Sequence, residues 1–184
     1  MKKTVFTLGF VAAMIFALAV SAAAPTSFAG TWTLDKAKST GLDQRMQNAE
    51  SVQWVITQDD KQISIESKVT GGQPAGGGPG GPGGGGGGGG RGGGMGGPRS
   101  YNLDGKEVTT EAGNGTSTMK ATWSSDGKGL ELSSVRAGNF NGNDFKATTV
   151  DKMSLSADGK VLTVKRTGES PRGPVDMTLV FNKQ

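Results

Sequence analysis

The chain has 184 residues, with 20 Lys or Arg, 16 Asp or Glu, and neither Cys nor His. This length suits one domain with a single core. The absence of Cys excludes disulfides, thiol nucleophiles and thiolate metal sites. The absence of His excludes Ser-His-Asp catalysis and histidine-ligated zinc or iron. Charges of both signs are interspersed, whereas nucleic-acid binders concentrate basic residues on one face, so no nucleic-acid partner is expected.

The N-terminus has the pattern of a signal peptide. Lys2 and Lys3 precede an apolar run over residues 5–20, and Ser21 and Ala23 provide a small-x-small cleavage site. We therefore predict a signal peptide over residues 1–23 and a mature domain over residues 24–184.

The alternative interpretation of this segment is a membrane anchor. The apolar run is shorter than the roughly 20 residues that a span needs, and Pro25 interrupts any continuation. No Cys stands near the cleavage site, so a lipoprotein is excluded. We expect a periplasmic or secreted protein with no membrane span after cleavage.

From Gly30 onwards, apolar and polar residues alternate with a period of two. This alternation predicts antiparallel strands with one buried face and one solvent-exposed face. Between the strands lie Asp-Gly pairs, which supply the positive φ angles of tight hairpins. Residues 42–50 lack alternation and predict a short helix or lid. The Asp-Gly pairs stand at Asp104-Gly105, Asp126-Gly127 and Asp158-Gly159.

We count about ten strands joined mostly by short hairpins. A long antiparallel meander leaves two edge strands with unpaired backbone groups, and closure into a barrel pairs them. The sequence therefore predicts an all-β fold, an antiparallel up-and-down β-barrel of about 8–10 strands. A two-sheet β-sandwich is the alternative.

Residues 71–98 form an extreme Gly-rich stretch. No Gly-Lys-Ser/Thr follows, which argues against a phosphate-binding loop. Arg91 and Arg99 have no interleaved aromatic residues, which argues against an RGG-type nucleic-acid segment. Glycine at this density buries too little apolar surface to offset its ordering entropy, so we predict a disordered hairpin loop. A flexible adhesive tether is the alternative.

The segment Phe28-Ala29-Gly30-Thr31-Trp32-Thr33-Leu34 resembles the Gly-x-Trp opening of the calycins, the superfamily of lipocalins and fatty-acid-binding proteins. Together with the ending DMTLVFNKQ, the chain looks similar to small exported bacterial lipocalin-like proteins. The resemblance implies that Gly30 and Trp32 close one end of a barrel. It also implies that Arg166 is the late-strand Arg that lipocalins place against that Trp.

The sequence departs from the fatty-acid-binding proteins at the last strand. Those proteins carry an Arg-x-Tyr pair that grips the ligand carboxylate, and the matching positions here are Leu179 and Phe181. Fatty-acid binding therefore does not transfer to this chain.

No catalytic or metal-binding constellation is evident. Glycosidase chemistry needs two facing carboxylates, and nothing in the spacing pairs Glu66, Glu107, Glu111 or Glu131. Asp126 and Asp158 lack the additional acidic ligands of a calcium loop and are explained as turn residues. We expect no enzyme, no metal and no cofactor, with a carboxylate-based hydrolase as the remote alternative.

The function that the sequence favours is binding of a small, largely apolar molecule in the barrel interior. The alternative is a non-catalytic structural or envelope-interaction protein with a filled core. The sequence leaves the ligand and the oligomeric state open. The candidate ligand-lining residues are Trp54, Ile56, Ile65, Tyr101, Met119, Trp123, Leu132, Met153 and Met177.

Overall fold

The computed structural model describes residues 25–71, 98–111, 115–140 and 142–184. The predicted signal peptide and residues 72–97 of the predicted Gly-rich loop lie outside this part of the chain. Within the described ranges, no helix has the length and apolar character needed to cross a membrane.

The described chain consists of ten strands and one short helix. The helix α1 spans Gln44–Asn48. The strands are β1 Gly30–Leu34, β2 Ser51–Gln58, β3 Gln62–Thr70, β4 Arg99–Asn102, β5 Val108–Glu111, β6 Gly115–Trp123, β7 Gly129–Phe140, β8 Asn143–Leu155, β9 Val161–Ser170 and β10 Gly173–Lys183.

All strand pairs are antiparallel and belong to one sheet, in the order β4-β3-β2-β1-β10-β9-β8-β7-β6-β5. Sequential strands are neighbours except β4 and β5, which stand at the two ends of this order, and β1 also pairs with the last strand, β10. The sheet nearly closes where its edge strand β4 lies beside β6, the neighbour of the other edge strand, β5. The fold is therefore a nearly closed up-and-down barrel, which confirms the predicted class and not the sandwich.

Two hairpin turns have the same arrangement of hydrogen bonds. In the β6–β7 turn, Ser124 donates to Asp126, whose carboxylate also accepts from the backbone N–H of Lys128. The β8–β9 turn repeats this arrangement with Ser156, Asp158 and Lys160. Gly127 and Gly159 both adopt φ = 68°, a conformation open mainly to glycine, so the hairpins predicted at these two Asp-Gly pairs are confirmed. The hairpin predicted at Asp104-Gly105 is wrong, because β4 and β5 on either side of this turn stand at opposite ends of the sheet order.

The predicted helix between residues 42 and 50 is α1. Asp43 caps it by accepting a hydrogen bond of 2.7 Å from the backbone N–H of Met46. Met46 is buried, and the Lys36 ammonium donates to the carbonyl of Ala49 at 2.6 Å. These contacts attach the short helix to the barrel, because a five-residue helix has little stability of its own.

The interior is most tightly filled at one end, which we call the packed end. Trp32 and Phe28 are fully buried there, and the Trp32 indole N–H donates to the Phe28 carbonyl at 2.9 Å. Phe28 also stacks on Trp123 with ring centroids 6.2 Å apart. Other large, fully buried side chains belong to the same core, namely Leu130, Met153, Leu162, Leu179 and Phe181.

Candidate functional site

Burial of the inward-facing positions changes along the long strands. On β8, Met153 and Asp151 are buried, whereas the next inward position, Thr149, is partly exposed. On β9, Arg166 is buried and Gly168 is partly exposed. The strands continue and stay paired beyond this point, so the barrel wall extends past the filled interior.

Inward-facing residues that are register partners on neighbouring strands form a row around the barrel. We call the first partly exposed row the cup, and its members come from five neighbouring strands. The cup consists of Met119, Ser134, Thr149, Gly168 and Val175.

The row beneath the cup forms its floor. In this row Asp151 of β8 is paired with Arg166 of β9, and Arg166 is paired with Met177 of β10. Arg166 Nε donates to Asp151 Oδ1 at 2.6 Å, and Arg166 Nη2 donates to Oδ2 at 2.7 Å. The side chains are only 10% and 2% exposed, respectively. This bidentate geometry satisfies both carboxylate oxygens.

Aromatic rings adjoin the ion pair. The Arg166 guanidinium lies 5.7 Å from the ring centroid of Trp54, which itself packs on Phe181 at 4.7 Å. Burial disfavours the charged guanidinium, but the hydrogen bonds and charge of Asp151 outweigh it and raise the pKa of Arg166. Arg166 therefore stays charged inside the barrel, held by one carboxylate and one aromatic face.

Tyr101 brings a neutral hydroxyl to the same region. Burial raises the pKa of this hydroxyl, although the positive charge of Arg99 opposes the shift. The charges of Asp151 and Arg166 act on the pKa of this hydroxyl in opposite directions, and the Ser134 side chain of the cup lowers it. The floor thus carries a charged pair with no net charge and a phenol that is neutral at ordinary pH.

The helix side of the barrel lies next to the cup. Thr40 pairs with Thr178, the neighbour of Met177, through backbone hydrogen bonds of 2.8 and 3.1 Å. This pairing positions the segment leading into α1, and the charge of Asp43 acts on Arg166. Residues 40–49 therefore border the cup end of the barrel, opposite the packed end.

All nine candidate lining residues lie on inward-facing positions. Met119 belongs to the cup, and Met177 and Leu132 belong to the row beneath it. Trp54 lies against the Arg166 guanidinium, and the charges of the Asp151–Arg166 pair act on the buried Tyr101 hydroxyl. Ile56, Ile65, Trp123 and Met153 pack within the core. The structure therefore brings five of the nine to the cup and its floor, and their contact with a ligand stays a prediction.

Trp32 is buried at the packed end, and the cation beside it is Lys183, not Arg166 as the resemblance implied. Lys183 is the register partner of Trp32, and its ammonium lies 5.2 Å from the Trp32 ring centroid. Arg166 lies over Trp54 instead, since its strand position places it in the row of Asp151. Gly30, at φ = 143°, leaves room for the Lys183 side chain, because a Cβ there would lie 2.9 Å from Lys183 Cε.

Asp151 is the functional candidate that the sequence analysis missed. It occupies an inward position of β8, two residues from the buried Met153. A charged residue on the apolar phase of an alternating strand is the signal that identifies it. Among the described residues, Asp151 is the carboxylate that is fully buried, and both its oxygens are held by Arg166, which leaves it poorly suited to act as a hydrolytic acid or base.

Two other kinds of functional site, a surface pocket and a metal-binding cluster, have less support in the described chain. A pocket of about 230 Å³ lies near the β2–β3 turn, between Thr57, Asp59 and Ser64, and none of the predicted lining residues borders it. Within the described ranges, no cluster of three or more acidic side chains is suited to a metal ion.

Comparison with known families and curated proteins found no match to a family model and no matching curated protein. Among solved structures, the chain is similar to the zebrafish ileal bile acid-binding protein complexed with cholic acid. The identity is 11%, the TM-score is 0.47, and the match covers 85% of this chain and 98% of that one.

The chain is also similar to a Schistosoma mansoni fatty acid binding protein in complex with arachidonic acid. The identity is 13%, the TM-score is 0.41, and the match covers 85% of this chain and 96% of that one.

Proposed function

We propose that the protein binds a small, largely apolar molecule in the cup. The observation that carries this proposal is the change in burial along single strands. Inward-facing residues are buried as far as Asp151 and Arg166 and partly exposed beyond them. Met119, Val175 and Met177 present apolar surface there, and covering such surface is favourable.

The dimensions of the wall support this proposal. β9 continues from Arg166 to Ser170, and β10 begins at Gly173, the register partner of Ser170. Four residues of strand at about 3.3 Å each give a wall of about 13 Å above the floor. Ser134 and Thr149 add hydroxyl groups to this wall, so the site combines apolar surface with a few polar groups, as ligand sites do.

The proposal is tested by titration with N-phenyl-1-naphthylamine, a neutral apolar dye that fluoresces in apolar surroundings. We expect saturable binding to the wild type. Thr149→Phe adds an aromatic ring inside the cup and is expected to weaken binding by about tenfold or more, equivalent to about 1.4 kcal/mol. Val150→Phe adds the same ring to the outer face of the same strand and is the matched control.

Two outcomes contradict cup binding. One is a wild type that gives no saturable signal. The other is an equal loss in Thr149→Phe and Val150→Phe, which would place the dye elsewhere or indicate a general loss of structure.

The packed end favours a second candidate, a structural protein with a filled barrel. Trp32, Phe181 and Leu162 are completely buried there, as in a core without space for a guest. Native mass spectrometry of protein purified from its own host separates the candidates. A retained small molecule supports binding, whereas bare protein combined with a negative dye titration supports the structural role.

We further propose that the protein is exported to the periplasm or secreted. The support is the charged start, apolar run and small-x-small site over residues 2–23. Mass measurement of the mature protein tests this proposal. An N-terminus at Ala24 is expected, and a mature chain that retains Lys2 and Lys3 would contradict it.

A further inference from the structure

We infer that the cup selects ligands with an uncharged, hydrogen-bonding head group, such as an alcohol or ester, over carboxylates. This inference rests on the proposed binding function and specifies its ligand class. The basis is the arrangement at the floor, where the cation that would otherwise attract an anion is already paired with Asp151.

The geometry of the pair leaves donors but no net charge. Arg166 uses Nε–H and one N–H of Nη2 for Asp151, which leaves the two N–H groups of Nη1 and the second N–H of Nη2 to donate to a guest. The pKa of the Tyr101 hydroxyl responds to the charges of both residues of the pair and is raised by burial, so the hydroxyl stays protonated and can both donate and accept. An alcohol oxygen or ester carbonyl can accept from these groups without bringing a charge into the barrel.

A carboxylate meets two penalties at the same place. It loses hydration on entering the barrel, and charge burial without a free counter-ion is costly. It also approaches the Asp151 carboxylate, which is 2% exposed and therefore weakly screened. The other charges acting on the floor are Asp43, beside α1, and Arg99, on β4, one of each sign. Arg136, two residues beyond Ser134 on the inward phase of β7, is exposed, so solvent screens its charge.

The experiment is displacement of N-phenyl-1-naphthylamine by 1-dodecanol and by dodecanoate, both below their aggregation concentrations at pH 8. In the wild type, we expect 1-dodecanol to displace the dye at a concentration at least about tenfold lower than the concentration of dodecanoate that is needed. This ratio corresponds to the free energy of about one hydrogen bond to a charged group. This ratio is measured without any substitution, so it does not depend on whether a variant folds.

Asp151→Asn tests the cause of the preference. It removes the negative charge and keeps a group of similar shape, so Arg166 gains a net charge that attracts dodecanoate. We expect dodecanoate to bind more tightly relative to 1-dodecanol, so that the ratio of their displacing concentrations changes by about tenfold or more in favour of dodecanoate. Glu131→Gln is the matched control, because it removes a carboxylate from an exposed ion pair with Lys152 on the same two strands. Its ratio is expected to equal that of the wild type.

Should Asp151→Asn fail to fold, the double variant Asp151→Leu/Arg166→Met replaces it, since removing both charges of a buried pair is better tolerated than removing one. It is expected to bind 1-dodecanol several-fold more weakly, because the floor donor of Arg166 is gone. Unchanged affinity would show that Arg166 does not contact the head group.

The results separate this inference from the binding proposal. A wild type that binds dodecanoate as tightly as 1-dodecanol overturns the selectivity and leaves cup binding in place. A shift that is equal in Asp151→Asn and Glu131→Gln overturns the role of Asp151. Failure of the dye itself to bind the wild type overturns both proposals.

Discussion

The packed end and the cup end of the barrel are built from the same strands but filled differently. At the packed end the inward positions of β9 and β10 carry Leu162 and Phe181, both completely buried. At the cup end the same strands carry Gly168 and Val175, which are partly exposed. Alternation therefore decides which residues face inward, whereas the size of those residues decides whether the interior is full.

The largest test of this contrast is Trp32→Ala. Trp32 is fully buried, and its indole N–H is hydrogen-bonded to the Phe28 carbonyl. Removing such a ring is expected to cost about 3–5 kcal/mol of unfolding free energy, measured by urea denaturation. Val175→Ala in the cup is the comparison and is expected to cost much less. Equal losses at the two sites would show that the ends do not differ in packing.

A second test separates the ion pair from the apolar packing around it. Asp151→Leu leaves the buried Arg166 charge without its partner and is expected to lower the free energy of unfolding by about 3–5 kcal/mol. Adding Arg166→Met removes the stranded charge and is expected to restore most of that stability in the same denaturation assay. A double variant as unstable as the single one would mean that the pair shapes the floor through more than charge.

A third test concerns the connection between β3 and β4. We predict that residues 71–98 are a loop, and replacing residues 72–97 with Asn-Gly should preserve the pairing of Ile65 with Arg99. Closing a loop of about 28 residues rather than 4 costs about 1.7 kcal/mol more, so stability should be equal or slightly higher. Circular dichroism and urea denaturation measure the outcome, and an unfolded or destabilised variant would refute the loop interpretation.

The smallest expected effect lies in the two repeated turns, which both border the packed end. The hydroxyl of Ser124 and the backbone N–H of Lys128 hold the pKa of Asp126 below its usual value, and Ser156 and Lys160 hold the pKa of Asp158 in the same way. A carboxyl with a lowered folded-state pKa contributes stability above its unfolded pKa. That contribution is lost as the pH falls through the folded value.

Unfolding measured between about pH 6 and pH 2 checks this linkage. The double variant Asp126→Asn/Asp158→Asn is expected to lose less stability than the wild type below about pH 4. An identical acid dependence in both proteins would show that the turn carboxylates do not contribute.

Much of the fold could be predicted from the sequence. Alternation around Trp54 and Leu179 gave the inward faces, and Asp-Gly pairs marked hairpins whose glycines adopt positive φ. These signals are local, because a strand face repeats every two residues and a turn is chosen within four. For this reason the strands, the short helix and the barrel class agree with the structure.

The floor of the cup could not be predicted in the same way. Arg166 was assigned to Trp32, but it pairs with Asp151 and lies over Trp54, while Lys183 takes the place beside Trp32. Alternation places both Arg166 and Asp151 on inward faces without saying which residues meet. Their contact depends on the register of β8 against β9, which is set by the hairpin between them.

The sequence by itself determined the period-two faces, the Asp-Gly hairpins and the apolar residues that fill the packed end, because each depends on residues close together in the chain. Only the tertiary structure decided that Asp151 neutralises Arg166 and that the inward positions above them are partly exposed. Both depend on the register and closure of the whole sheet, which bring Trp54 of β2 against Arg166 of β9 across the barrel.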